Sequence, residues 1–263
     1  MTEFVHLSNR GILALTGKDA LDLLQGALTQ DVRKLADTPL LYATHLTPQG
    51  KLVTDVFLWQ QDDALMLDVH VDMLMPLAQS LNRYCVGMDV EFEDLSADYC
   101  VCADISPTPT HGCSDPRHTA LGSRFYATQC PSSSSLDVYE AYRISLGIPD
   151  VFVDFPNQNF LPAELGLHHL NAIDFDKGCY VGQEVTTRLH RRGTPKKALY
   201  VLDAVLASVG SPITLESGTT TGKVGATAGD KTLAALQIRS ADKPLFCQEE
   251  KIPTPRLSPI YPN

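Results

Sequence analysis

Along the first hundred residues the spacing of apolar positions switches repeatedly between a period near two and a period near three and a half, the pattern of strands interleaved with amphipathic helices. Residues 20–25 are apolar at helical spacing behind Thr16-Gly17-Lys18-Asp19, which predicts a first helix starting near Gly17 and stopped at Gly26. Residues 51–59 and 64–71 are rich in apolar and β-branched side chains around the polar stretch 60–63, so they predict a hairpin with a four-residue loop. A helix over 72–84 follows, with Pro76 in or near its first turn, and then strands over 90–95 and 99–105. Further on, 136–146 reads as an amphipathic helix capped by Ser135 and stopped at Gly147. After Pro195 the pattern changes to short strands, 198–206, Pro212–Leu215, 223–227 and 232–238, separated by glycine-bearing turns, which suggests a small β-barrel.

This order of elements implies an α+β protein with antiparallel pairs. A chain of 263 residues, 44% hydrophobic, exceeds one usual core, so two or three packed units are expected. The composition divides them into a region 1–196, with an apparent break near 107–118 where Pro107, Pro109 and Gly112 give linker character, and a C-terminal unit 197–263.

Cysteine and charge narrow the function classes. Cysteines at 85, 100, 102, 113, 130, 179 and 247 are odd in number and scattered, which argues against a disulfide framework and for a reducing compartment, with the cytoplasm expected. No C-x-x-C pair occurs, and Cys100 and Cys102 share one face of a strand, so neither a resident cluster nor a structural zinc site is expected. The adjacent His168 and His169 point in different directions and do not make a paired ligand face. No apolar run is long enough to span a membrane and the N-terminus does not read as a signal peptide, so no membrane association is expected. A monomer is expected. Residues 1–176 carry 9 basic and 24 acidic side chains, whereas 177–197 carry 6 basic residues against Glu184 alone. One cationic segment on an acidic protein, with Arg188, His190, Arg191, Arg192, Lys196 and Lys197, reads either as a solvated loop or as a site for a localised anion. General nucleic-acid binding would need a broader basic face.

The candidate chemistry lies at the start of that segment. Lys177-Gly178-Cys179-Tyr180-Val181-Gly182-Gln183-Glu184 places a cysteine between two glycines, with cations at Lys177 and Arg188. Such a backbone approaches a ligand closely, and a thiol beside cations ionises more readily than a free one, although many free cysteines are small buried hydrophobes. The run 171–176 before it alternates like a half-buried strand, and 185–190 after it fits a short helix or a second strand. The turn between them brings N–H groups together for an anion, while Gln183 and Glu184 offer donors and acceptors to the edge of a flat heterocycle.

KGCYVGQE with its following arginine resembles the signature of the YgfZ-type folate-binding proteins, bacterial counterparts of the mitochondrial iron–sulfur maturation factor and relatives of the glycine cleavage T-protein. The resemblance covers essentially the whole chain. Residues 24–32 (LQGALTQDV), 46–51 (LTPQGK) through Asp55, 142–149 (YRISLGIP) and 161–165 (LPAEL) match further family segments, with Gln30 in place of the usual asparagine. The resemblance implies two intertwined α/β units around a central channel that receives tetrahydrofolate or a one-carbon derivative, plus a C-terminal barrel. It implies catalytic roles for Cys179 and for Asp55, the acid matching the T-protein carboxylate that activates aminomethyl transfer. It also implies folate contacts from Lys177, Gly178, Tyr180, Gly182, Gln183, Glu184 and Arg188. Ser145 stands where the T-protein has a pterin-contacting glutamate, which leaves Glu164 or Gln183 for that role. The implied function is folate-dependent support of iron–sulfur assembly or repair in client enzymes, including some that modify transfer RNA, with folate and iron–sulfur client or assembly proteins as partners. A folate-dependent aminomethyl transferase and a transfer RNA-binding protein are the alternatives.

Overall fold

A computed structural model describes residues 3–131, 133–156, 160–203 and 207–262. Its strands form three antiparallel sheets. The first, of five strands, runs Leu41–Leu46, Leu52–Gln61, Ala64–His70, Arg10–Thr16, Glu91–Asp94. The second, of four, runs Phe4–His6, Cys100–Asp104, Ser123–Ala127, Cys113–Ser114. The third is a curled sheet of seven strands at the place of the expected barrel, built on Thr220–Ala228, Lys231–Gln237 and Lys197–Asp203. The predicted strand 198–206 corresponds to Lys197–Asp203, and its last three positions lie outside the described residues.

Strand periodicity explains how three sheets share one interior. In Lys197–Asp203, Leu199 and Val201 face a central core while Ala198, Tyr200 and Leu202 face the inside of the third sheet. In the first sheet, Tyr42, Phe57 and Trp59 face that same central core, whereas Leu41, Ala43, Val56 and Leu58 pack outward against the helices Ala20–Ala27 and Leu74–Asn82. Burying both faces in this way requires near-continuous apolar strands, which is what the sequence carries. The N-terminal strand Phe4–His6 pairs with Cys100–Asp104, and Ile12 to Leu15 of the next strand join the first sheet, so the chain weaves between units within its first sixteen residues.

Three local predictions need correction. The hairpin loop is two residues, not four, because Gln60 and Gln61 continue the ladder opposite Leu65 and Ala64, and Asp62 makes the turn at φ 51°. Gly26 lies inside the first helix, which ends at Ala27. Residues 171–176 form no strand; they run past Thr29, whose carbonyl accepts from the Asp174 N–H at 3.0 Å. Among the described residues no helix is long and apolar enough to cross a membrane.

Candidate functional site

The cysteine turn is built onto the end of the first helix. An α-helix leaves its last carbonyls without partners, and here residues from the other end of the motif region supply them. The Lys177 ammonium donates to the carbonyls of Gln25 at 2.7 Å, Leu28 at 2.8 Å and Gln30 at 2.8 Å, and the Val181 N–H donates to Gly26 at 3.0 Å. A cation at a helix C-terminus is also favoured by the helix dipole. Burial lowers the Lys177 pKa to about 8, which still leaves it charged at neutral pH, and its Nζ lies 5.2 Å from the Tyr180 ring centre. All three ammonium hydrogens are therefore engaged inside the protein. Lys177 is the fastening of the turn, and the expectation that it contacts folate or flanks the thiol as a free cation does not match its position.

A second fastening joins the turn to residues 46–51. Gly182 has φ +83°, and a Cβ there would lie 2.7 Å from the Thr47 carbonyl oxygen. Opposite it, Gly50 has φ +74°, and its Cβ would lie 3.0 Å from Val185 Cβ. Two glycines thus let two motif segments touch through bare backbone. Gly178, by contrast, has open space where a Cβ would go, so its lack of a side chain is not required by packing.

Between these anchors Cys179 is exposed. Tyr180 beside it is buried, its hydroxyl pushed up to about 12 by burial against an opposing contribution from Thr186. The Gln183 side-chain amide donates to the Gly178 carbonyl at 3.3 Å and closes the loop beneath the thiol. The turn feeds directly into the helix Gln183–Arg192, whose positive dipole end faces it.

That helix divides its side chains by face. Glu184, Thr187, Arg188 and Arg191, at relative positions 0, 3, 4 and 7, line an open groove of about 530 Å³ with Gln183 at its head. Glu184 and Arg188 are solvent-exposed, and no ion pair occupies Arg188 or Arg191 among the described residues. His190 leaves the groove and stacks on Phe175 at 3.6 Å between ring centres. Lys197 turns away to lie 3.9 Å from Glu164, and the side chain of Arg192 lies outside the described residues.

One expected folate contact, Glu164, and one expected catalytic acid, Asp55, have other work. Glu164 Oε2 accepts from the Leu161 N–H at 3.0 Å and caps the short turn Pro162–Leu165, with Oε1 facing Lys197. Asp55 is fully buried; its carboxylate accepts from Arg10 Nη1 at 3.3 Å and from the Tyr42 hydroxyl at 3.2 Å. Burial pushes the Asp55 carboxyl up, opposed chiefly by the Arg10 guanidinium. Tyr42 itself borders a separate cavity of about 430 Å³ with Gln30, Asp115 and Asn171, so Asp55 sits one hydrogen bond behind that cavity.

Asp55 belongs to a buried ionic network that sequence reasoning missed. Asp68 accepts from Arg10 Nε at 2.7 Å and Arg124 Nε at 2.6 Å, Asp115 pairs with Arg117 through two bonds, and Arg117 also donates to the Tyr139 hydroxyl at 2.6 Å. The guanidinium carbons of Arg10, Arg117 and Arg124 lie 5.4, 4.9 and 3.9 Å from the centre of the Phe57 ring, within cation–π range. The available signal was a charge in the middle of an apolar strand, Asp68 in Ala64–His70 and Asp55 in Leu52–Gln61, where an ion is found only with partners.

Comparison with known proteins completes the picture. No family model matches the chain. An iron-sulfur cluster assembly factor IBA57 homolog, mitochondrial, from Mycosarcoma maydis is 31% identical over 244 residues, covering 81% of this chain and 60% of its own length. An uncharacterized protein from Haemophilus influenzae is 29% identical, covering 82% of this chain and 80% of its own length. The chain belongs to the YgfZ/IBA57 family. The mouse member, named iron-sulfur cluster assembly factor IBA57, mitochondrial, matches this chain at 26% identity over 98% of it and 84% of the mouse protein. Among solved structures, the glycine cleavage system aminomethyltransferase T from Bartonella henselae superposes with a TM-score of 0.74 at 14% identity, covering 99% of this chain and 86% of its own. The YgfZ/IBA57 chain described here therefore has the T-protein α+β fold. It spans about 60% of the length of the Mycosarcoma relative.

Proposed function

We propose that this chain is a tetrahydrofolate-binding accessory factor that supports assembly or repair of iron–sulfur clusters in client enzymes, including enzymes that modify transfer RNA. The observation that carries the reading is the Cys179 turn: an exposed thiol on a loop tied down by Lys177 and by the Gly50–Gly182 contact. An exposed side chain on a fixed backbone suits transient contact with a partner better than core packing does. The mitochondrial relatives named as iron–sulfur cluster assembly factors support the same reading.

Among the described residues no three His, Cys, Asp or Glu side chains gather to hold a metal ion. A cluster resting on a Cys179 thiolate would take its remaining ligands from the client or assembly partner. The free cysteines suit a reducing compartment such as the cytoplasm.

The residues present also fit a folate. Arg188 and Arg191, without an ion-pair partner among the described residues, offer two guanidiniums to the carboxylates of the glutamate tail, and Gln183 and Glu184 offer an amide and a carboxylate to pterin N–H donors. When bound, the folate supplies a one-carbon carrier; the chain's part is to hold and orient it beside the turn. A transferase reading rests on Asp55, whose burial and engagement with Arg10 and Tyr42 favour a structural role.

Two measurements test the proposal. Expression in cells lacking their own such factor restores the activity of a [4Fe–4S] client enzyme; no restoration contradicts the iron–sulfur reading. Calorimetric titration with tetrahydrofolate gives saturable binding that Arg188→Ala with Arg191→Ala weakens by about tenfold, more at low salt than at high salt. Equal affinity of wild type and the double variant at both salts removes the groove from the folate site.

A further inference from the structure

Two thiols meet where the second sheet joins the segment leading to the helix Leu136–Ser145. Cys100 and Cys102 lie two apart on one strand and share a face. Cys102 pairs with Phe125 on the neighbouring strand, and Cys130 lies three residues beyond that strand's end at Ala127. Cys102 is buried and Cys130 half-buried, and their sulfur atoms are 2.8 Å apart, with the Cys102 thiol donating. That separation is well inside ordinary contact between non-bonded sulfurs. No set of three metal-ligating side chains forms here or elsewhere among the described residues. The pair is left with sulfur–sulfur chemistry.

We propose that Cys102 and Cys130 are an oxidisable dithiol that closes to a disulfide by exchange with a low-molecular-weight disulfide such as oxidised glutathione. Cys130, the more exposed sulfur, loses its proton and attacks one sulfur of the small disulfide. A mixed disulfide forms and one small thiolate leaves. Cys102 then loses its proton and attacks Cys130 Sγ, and the second small thiolate leaves. Two cysteine sulfurs are oxidised, one small disulfide is reduced, and the two cysteine protons end on the two released thiols. Burial pushes the Cys102 thiol up, and Cys130 and Cys100 add to this, which suits it to the second, intramolecular step instead of the first.

The bond would close a loop between positions 28 apart in sequence. That loop carries Asp115, Arg117 and Arg124, three members of the buried ionic network, so oxidation would fix the network's second half to the sheet that also holds the N-terminal strand. Because the sulfurs already touch, the folded state accepts the bond with little rearrangement, and the constraint falls mainly on the unfolded chain. The inference is independent of the folate and iron–sulfur reading.

Equilibration of the purified full chain with reduced and oxidised glutathione at graded ratios, alkylation of remaining thiols, proteolysis and mass spectrometry test it. The expected result is a linked pair of peptides bearing Cys102 and Cys130 that reverts in excess reduced glutathione. A rise in thermal midpoint on the order of 10 °C accompanies the link. Cys130→Ser, at a half-buried position, removes both the linked peptides and the shift. Glutathione on Cys130 with Cys102 free, a Cys100–Cys130 link, or no reaction at either sulfur would each overturn the proposal.

Discussion

At the scale of single residues, Lys177 shows how a motif position can owe its identity to something far away in sequence. Its ammonium satisfies three carbonyls, one in the last turn of a helix and two just beyond its end, some 150 positions earlier. Lys177→Met keeps the length of the side chain and removes every donor, leaving buried carbonyls unpaired at a cost of about 3 kcal/mol. Denaturant unfolding should show the loss as a lower midpoint. A midpoint equal to wild type would mean that the three bonds contribute nothing net. The glycines offer a sharper contrast. Gly182→Ala places a Cβ against the Thr47 carbonyl at positive φ and should cost roughly 1–3 kcal/mol, whereas Gly178→Ala meets open space and should stay within about 0.5 kcal/mol of wild type. Equal losses at the two positions would remove the close-approach argument.

At the scale of elements, much was legible because strand and helix periods are local. The helices Leu74–Asn82 and Leu136–Ser145 and the first four strands of the C-terminal sheet lie where apolar spacing predicts them, whereas the short strands Leu245–Cys247, Glu250–Lys251 and Arg256–Leu257 gave no such signal. Two of the misreadings arise because backbone pairing and apolar alternation do not require each other. Gln60 and Gln61 stay in the ladder although both are polar, and 171–176 alternates although it pairs with no strand. The helix Gln183–Arg192 shows the same limit at the site. Its sequence displays a run of cations, but only the formed helix sends Arg188 and Arg191 to one groove and His190 to Phe175. Likewise, the partners of Asp55 and Asp68 lie 13 to 58 positions away, and no spacing rule in one sequence brings Arg10, Tyr42 and Arg124 together around them.

At the scale of the whole molecule, that ionic network joins the first two sheets through charges with almost no access to water. Despite burial, which pushes it up, Asp68 is held below the usual carboxylate range by Arg10 and Arg124. Asp115 is held down in the same way by Arg117 against its own burial. Unfolded aspartates titrate near pH 3.9, so below that value the unfolded chain binds more protons than the folded one. The stability these groups contribute is present above about pH 4 and falls as pH drops through their lower folded values. The difference in unfolding free energy between wild type and Asp68→Asn, measured between pH 6 and pH 2, should shrink only at the acid end. Asp68→Asn leaves two buried guanidiniums facing a neutral partner and should cost about 3–5 kcal/mol near neutral pH. A loss below 1 kcal/mol would show that the network is dispensable for joining the sheets.

The Cys179 thiol is the point on which the functional account turns, since the rest of the site is scaffolding that presents it. The most direct measurement is the activity of a [4Fe–4S] client enzyme in cells lacking their own factor, supplied in parallel with wild-type protein and with Cys179→Ser at matched levels. Thermal midpoint and tetrahydrofolate affinity are measured on the same two proteins. The account predicts unchanged folding, nearly unchanged folate affinity and loss of client activity in the variant, because serine keeps the size of the side chain and lacks a thiolate. Client activity fully restored by Cys179→Ser would contradict it.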